Sequence, residues 1–166
     1  MQINPLKKPQ YIGVVGHKKS GKTTLIEHLA KELTARGLII GTIKITTHDL
    51  RFDSPGKDTH RHRAAGSQVT MIKSKSEMAV FTNSDYLDDD SVKALFGKCD
   101  FVFVEGDSGS QNPKIYVADD RETRDDISGD IIAVWGTKTE TIKAPHFETG
   151  QVTELCDFLN RVFREL

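Results

Sequence analysis

The chain has 166 residues, 37% of them hydrophobic, and a formal net charge of −1 at pH 7. That size suits one α/β domain over residues 1–166, with a loose lead-in over 1–10 where Pro5 and Pro9 break regular structure. The balanced charge argues against broad nucleic-acid binding, no apolar run reaches the roughly 20 residues of a membrane span, and the N-terminus lacks an apolar signal core; two cysteines without a C-x-x-C pair, Cys99 and Cys156, read as structural thiols in a reducing cytoplasm.

The first informative stretch begins with an apolar run over 11–15, read as a buried parallel strand. Gly16-His-Lys-Lys-Ser-Gly-Lys-Thr23 follows and fits G-x-x-x-x-G-K-[ST], the phosphate-cradling loop. The spacing then predicts a helix over 23–36 with Leu25, Ile26, Leu29 and Leu33 on one face and Gly37 as its stop. Each residue type has a physical reason. Gly16 and Gly21 let the backbone curl so that the N–H groups of His17, Lys18, Lys19, Ser20 and their neighbours converge on phosphate oxygens. The helix N-terminus adds a positive dipole end. Lys22 reaches the β- and γ-phosphates, the Thr23 hydroxyl holds Mg²⁺, and Thr24 lies near the α-phosphate.

A second strand, rich in β-branched residues, is predicted over 38–45 and completes a right-handed βαβ unit. Ligands of such sheets bind beyond the carboxyl ends of the strands, so residues 46–58 leave on the nucleotide side. This polar loop carries Asp49, Asp53 and Asp58. They either hold Mg²⁺ waters and sense a γ-phosphate, as switch loops do, or serve only as turn residues on a solvated loop. A short helix is expected over 57–65, ending at Gly66. His48, His60 and His62 have no zinc-ligand spacing.

Strands at 69–73 and 78–82, separated by a polar break, predict an antiparallel hairpin. Residues 85–90 read as an acidic surface and 91–97 as a short helix. The next informative run, over 100–106, is apolar and ends in Glu105-Gly106. An acid at the end of a buried strand is where phosphate-loop proteins place the carboxylate that helps hold Mg²⁺, and Gly106 permits close approach of the γ-phosphate.

Residues 114–118 and 131–135 are further strands, with an exposed loop of mixed charge over 119–126 between them. Thr137-Lys138-Thr139-Glu140 loosely resembles the tetrad with which GTP-binding proteins read guanine, with Thr and Glu in place of the usual Asn and Asp. The chain closes with an amphipathic helix over 151–166, whose stripe is Val152, Leu155, Leu159, Val162, Phe163 and Leu166. Together these elements predict a three-layer α/β phosphate-loop fold with a mostly parallel sheet and one short antiparallel hairpin.

The ordered set of motifs resembles the molybdopterin-guanine dinucleotide biosynthesis adaptor family (MobB). The resemblance runs from the phosphate loop through Gly41-Thr-Ile-Lys44, Thr47-His-Asp49 and Asp53-Ser-Pro-Gly-Lys-Asp58. It continues through Ala64-Ala-Gly66 and Val104-Glu-Gly106 to Pro113-Lys-Ile115. It implies a GTP- and Mg²⁺-binding homodimer with weak GTPase activity. It further implies an accessory role in joining GMP to the molybdenum cofactor, beside a guanylyltransferase of the MobA type and with molybdopterin as a further ligand. The sequence departs from the family in two places and, at His17, from related dimeric ATPases. Ile45 stands where a histidine is usual, Asp107-Ser108 where Phe-Lys is usual, and His17 where related dimeric ATPases carry a lysine.

No side chain in these motifs has the look of a strong general base, so slow intrinsic hydrolysis is expected. Two other readings remain. One is a small-molecule kinase, with Arg121 and Arg124 as its lid; the other is a metal-delivery regulator carried by His48, His60 and His62.

Overall fold

Alternating apolar residues in the strands of the computed structural model, which describes residues 9–164, sort the sheet into two covered faces. The chain divides into two compact units, one formed by the segments up to Thr46 and from Phe96 onward, the other by Thr47–Leu95. The loose lead-in expected over 1–10 lies almost wholly outside the described residues, as does Leu166 of the closing stripe.

The first unit holds β1 (Gln10–Gly16), α1 (Lys22–Ala35), β2 (Ile40–Lys44), β5 (Phe101–Glu105), β6 (Lys114–Ala118), β7 (Ile131–Gly136), β8 (His146–Phe147) and α4 (Val152–Arg164). Its strands form one sheet in the order β2-β5-β1-β6-β7-β8. Every neighbouring pair in it is parallel. This bears out the mostly parallel sheet expected from the sequence.

One face of the sheet, with Ile12, Val14, Phe101, Phe103, Ile115, Val117, Ala133 and Trp135, packs on both helices. Helix α1 contributes Leu25, Ile26, Leu29 and Leu33, the predicted stripe, and α4 contributes Leu155, Cys156 and Leu159. Arg36 ties the helices together through Glu32 (2.8 Å) and Asp157 (2.5 Å). The Cys156 thiol is buried in this layer, and burial pushes its pKa up to about 12, which fits a structural thiol. On the opposite face, Val15, Tyr116, Ala118 and Val134 are covered by Ile127, Ile142 and Ala144 from connecting segments.

Local chemistry explains the ends of α1. Gly37 takes φ +83° just past the helix, its N–H donates to the Thr34 carbonyl, and that of Leu38 donates to the Leu33 carbonyl. This is the Schellman pattern, with the apolar contact between the buried Leu33 and Leu38 that accompanies it.

The path from β5 to β6 is unusual. Parallel strands are normally joined by a dozen or more residues, yet residues 106–113 carry the chain across β1 without a helix. The crossing passes over Gly13, where a Cβ would lie 3.1 Å from the Lys114 side chain and 3.3 Å from the Asp107 carbonyl oxygen. Lys114 itself is wholly buried. Its ammonium donates to the Ser110 and Asn112 carbonyls, each at 2.9 Å, with the Asp107 carboxylate 3.9 Å away.

The second unit holds α2 (Asp58–Ala64), β3 (Val69–Lys73), β4 (Met78–Thr82) and α3 (Asp89–Leu95). β3 and β4 form the predicted antiparallel hairpin, with Met71 opposite Val80. One face of the hairpin carries Thr70, which is buried, and Phe81, which lies under the Arg63 guanidinium at 5.8 Å. On the other face Val69, Met71, Met78 and Val80 remain 40–59% exposed.

Candidate functional site

The site is built at the carboxyl end of β1. Gly16 adopts φ +143°, and a Cβ there would lie 2.4 Å from the Val117 carbonyl oxygen, so no other residue fits. Lys19 at φ +66° and Gly21 at φ +97° complete the curl that feeds α1. The first-turn amides of a helix have no helix acceptors. No side chain caps them here, and no acid sits in the first turn. The positive end of α1 is therefore open to an anion.

Two side chains of the loop have defined places. Lys22 folds back, donating to the carbonyls of Gly16 (3.2 Å) and His17 (2.5 Å). Burial lowers its pKa, the Glu105 carboxylate opposes that shift, and Arg124, Arg121 and Lys44 add to it. The Ser20 hydroxyl oxygen is buried and has no hydrogen-bond partner. Lys18 and Lys19 are exposed.

The structure brings Thr23 and Glu105 together, as the sequence predicts for a metal pair. The Thr23 hydroxyl donates to Glu105 Oε2 at 2.9 Å. Glu105 Oε1 lies 3.1 Å from the Lys44 ammonium. Lys44 was not among the sequence-predicted site residues; its place follows from parallel pairing, which sets Lys44 beside Glu105 at the strand ends. Gly106, at φ +87°, is needed for a second reason: a Cβ there would lie 2.7 Å from the Ile45 carbonyl oxygen.

Beside the loop, on the β7 side, is a pocket of about 170 Å³. Ser20, Thr24, Leu25 and His28 line it from the loop and α1, Val117, Ala118, Trp135 and Gly136 from β6 and β7, and Thr149 from the turn before α4. Lys138 and Glu140 of the loose guanine-type tetrad follow β7 as exposed side chains. Thr139 is joined to Thr141 (2.7 Å) and Thr123 (3.2 Å) in a cluster of hydroxyls.

The mixed-charge segment 119–126 is fastened to the phosphate loop, which the sequence did not reveal. His17 Nε2 pairs with the Glu122 carbonyl at 2.7 Å, Arg121 donates to the Lys18 carbonyl at 3.0 Å, and Arg124 donates to the Gly16 carbonyl at 3.3 Å. These contacts join residues more than a hundred positions apart, so no local pattern announces them.

Asp49, Asp53 and Asp58 belong to the second unit. Asp49 is exposed. Asp58 opens α2 and pairs with Arg61 at 3.7 Å. Asp53 accepts from the Thr59 hydroxyl at 2.9 Å and faces Arg63 at 3.8 Å, ties internal to its unit. Among the described residues no group of three or more His, Cys, Asp or Glu is placed to hold a metal ion, so His48, His60 and His62 form no such cluster.

The donor set fits a nucleotide phosphate chain with Mg²⁺. Uncapped amides, the Lys22 ammonium and the unpartnered Ser20 hydroxyl supply donors for anionic oxygens. The Thr23 hydroxyl and Glu105 carboxylate are hard oxygen ligands of the kind Mg²⁺ prefers.

The model of the family "molybdopterin guanine dinucleotide synthesis protein B" (MobB) matches residues 11–137. A molybdopterin-guanine dinucleotide biosynthesis adapter protein from Haemophilus influenzae is 30% identical over 156 residues, covering 89% of this chain and 86% of its own length. The Escherichia coli adapter protein is 31% identical over 151 residues, 84% of this chain and 85% of its own. A solved structure of molybdopterin-guanine biosynthesis protein B superposes with a TM-score of 0.74 at 24% identity, over 93% of this chain and 99% of that one. The Bacillus subtilis MobB structure gives a TM-score of 0.72 at 22% identity, over 93% and 98%. These likenesses establish the fold, and the family model with the two adapter sequences establishes the lineage: the chain belongs to the MobB family.

Proposed function

We propose that this chain is a GTP- and Mg²⁺-binding adapter in molybdopterin guanine dinucleotide biosynthesis, working beside the guanylyltransferase that joins GMP to the molybdenum cofactor. The observation that carries this reading is the convergence of the open α1 N-terminus, Lys22 and the Thr23–Glu105 pair at one strand end. The loop amides and Lys22 hold the phosphates, and Ser20 offers its unpartnered hydroxyl. Thr23 and Glu105 hold Mg²⁺, with Lys44 giving up its hold on the carboxylate. When bound, the cation neutralises charge shared between neighbouring phosphates. Thr24 meets the α-phosphate, and the pocket toward Trp135 and Thr149 takes the nucleoside end. Any hydrolysis is slow.

Equilibrium binding of GTP and ATP, each with Mg²⁺, tests the reading. GTP is expected to bind more tightly, and Glu105→Ala to weaken binding in Mg²⁺ more than in EDTA. Equal losses in both buffers would remove Glu105 from the metal site, and ATP binding as tight as GTP would remove the guanine assignment. A small-molecule kinase is the second reading, favoured by the contacts of Arg121 and Arg124 with the phosphate loop. A screen for phosphate acceptors separates the two.

The adapter is further proposed to be a homodimer joined through its hairpin. Four apolar side chains on one face of a two-stranded sheet stay uncovered within their unit, and an isolated hairpin has little stability of its own. The double substitution Met71→Asp and Val80→Asp is expected to halve the mass seen by sedimentation. A monomeric wild type at tens of micromolar would end the proposal.

A further inference from the structure

We propose that Arg124 is a second phosphate-binding cation, parked on Asp126 in the free protein and transferred to the terminal phosphate of a bound nucleoside triphosphate, so that triphosphate is favoured over diphosphate. The inference rests on the nucleotide-binding reading of the phosphate loop.

The Gly16 carbonyl carries the argument. It accepts from Lys22 Nζ at 3.2 Å and from Arg124 Nη1 at 3.3 Å, so two cations meet at one oxygen. Like charges this close repel and raise the affinity of the place for an anion. Lys22 is the residue that reaches the distal phosphates in this motif. A guanidinium sharing its resting acceptor is within a side-chain swing of the same oxygens.

Arg124 is held as a poised ligand requires. Its backbone N–H donates to the Tyr116 hydroxyl at 3.1 Å, and Tyr116 is buried in the sheet. The neighbouring Thr123 hydroxyl is 2.6 Å from that of Thr141. The backbone is therefore fixed, and only the side chain has to move. Its Nε and Nη2 edge is spent on the two oxygens of Asp126, a carboxylate with a side chain 62% exposed. Exposed pairs of this kind contribute little, so a phosphate that binds the same edge in bidentate fashion displaces the acid at small cost. Arg121 also reaches the loop, at the Lys18 carbonyl, but it is the weaker choice: its side chain is half exposed, and its backbone N–H is held by Asp119, two residues back, where that of Arg124 is held by the buried Tyr116.

The test is calorimetric titration of the full chain with Mg²⁺ and either the diphosphate or the non-hydrolysable imido analogue of the triphosphate, using the purine nucleotide the wild type binds more tightly. Arg124→Ala is expected to lose about tenfold more affinity for the triphosphate analogue than for the diphosphate. Arg124→Lys is expected to recover part of that difference, and Asp126→Asn to strengthen triphosphate binding by roughly threefold. Equal losses for both nucleotides in Arg124→Ala, or weaker triphosphate binding in Asp126→Asn, would overturn the inference while leaving the phosphate loop intact. A wild type that binds neither nucleotide would overturn both.

Discussion

Lys22→Ala is expected to lower affinity for Mg²⁺-nucleotide by about 100-fold or more while leaving the fold intact. The ammonium makes two hydrogen bonds to loop carbonyls, and in the bound state these are exchanged for charged phosphate oxygens. Hydrogen bonds to charged groups contribute about 1.5–3 kcal/mol each, so two of them contribute at least about 3 kcal/mol, about 100-fold or more. The resting geometry reinforces the argument. Burial already lowers the pKa of Lys22, and Arg124 and Arg121 press in the same direction, so an anion relieves a cost that the free protein carries. Helix α1 is held by Leu25, Ile26, Leu29 and Leu33 and not by this lysine, so the thermal midpoint serves as the control. An affinity within threefold of wild type, with the midpoint unchanged, would remove the phosphate-loop assignment.

The second large effect concerns stability. Lys114→Met is expected to destabilise the protein by about 3 kcal/mol, because it breaks a buried ion pair and leaves its partner behind. Lys114 is 0% exposed, and burial lowers its pKa while Asp107 opposes the shift. Its ammonium satisfies two carbonyls of the crossing segment, and Asp107 Oδ2 also accepts from Ser110 Oγ (2.5 Å) and Asn112 Nδ2 (2.9 Å). These bonds hold together a crossing that has no helix. Urea unfolding measures the loss, with an unchanged slope showing that the transition remains two-state. The double variant with Asp107→Asn is expected to be less destabilised than the sum of the singles, since the uncompensated charge goes too. A loss below about 1 kcal/mol in Lys114→Met would show that the crossing is held by something else.

Much of this was readable in the sequence because its signals are local. A strand, a glycine-rich turn and a 3.6-residue stripe announce the glycine-rich loop and its helix, and the run ending in Glu105 places a carboxylate at the strand end beside Thr23. The hairpin was readable from two apolar segments around a polar break. What could not be read is held by distant contacts. Arg124 lies in a stretch that looks like solvated charge, and only the folded chain sets it on Gly16. Lys114 opens a strand, where a lysine reads as exposed, and its burial comes from the segment that folds over it. Lys44 joins Glu105 through strand pairing alone. Strand β8 has two residues, too few for any periodicity.

The strand order has a consequence for how the molecule is made. β1 and β2 are consecutive in the chain, yet they never touch as sheet neighbours, because β5 lies between them. As the polypeptide leaves the ribosome, its first two strands have no edge to pair with until residues 101–105 arrive. Among the described residues, β3 and β4 of the intervening 47–95 unit pair only with each other, so their pairing does not wait for the sheet. The sheet must then close over long separations in sequence, which makes this a high-contact-order fold and a slow folder for its size. During that interval the apolar strands β1 and β2 are open edges, and they are the segments that a chaperone has most reason to hold.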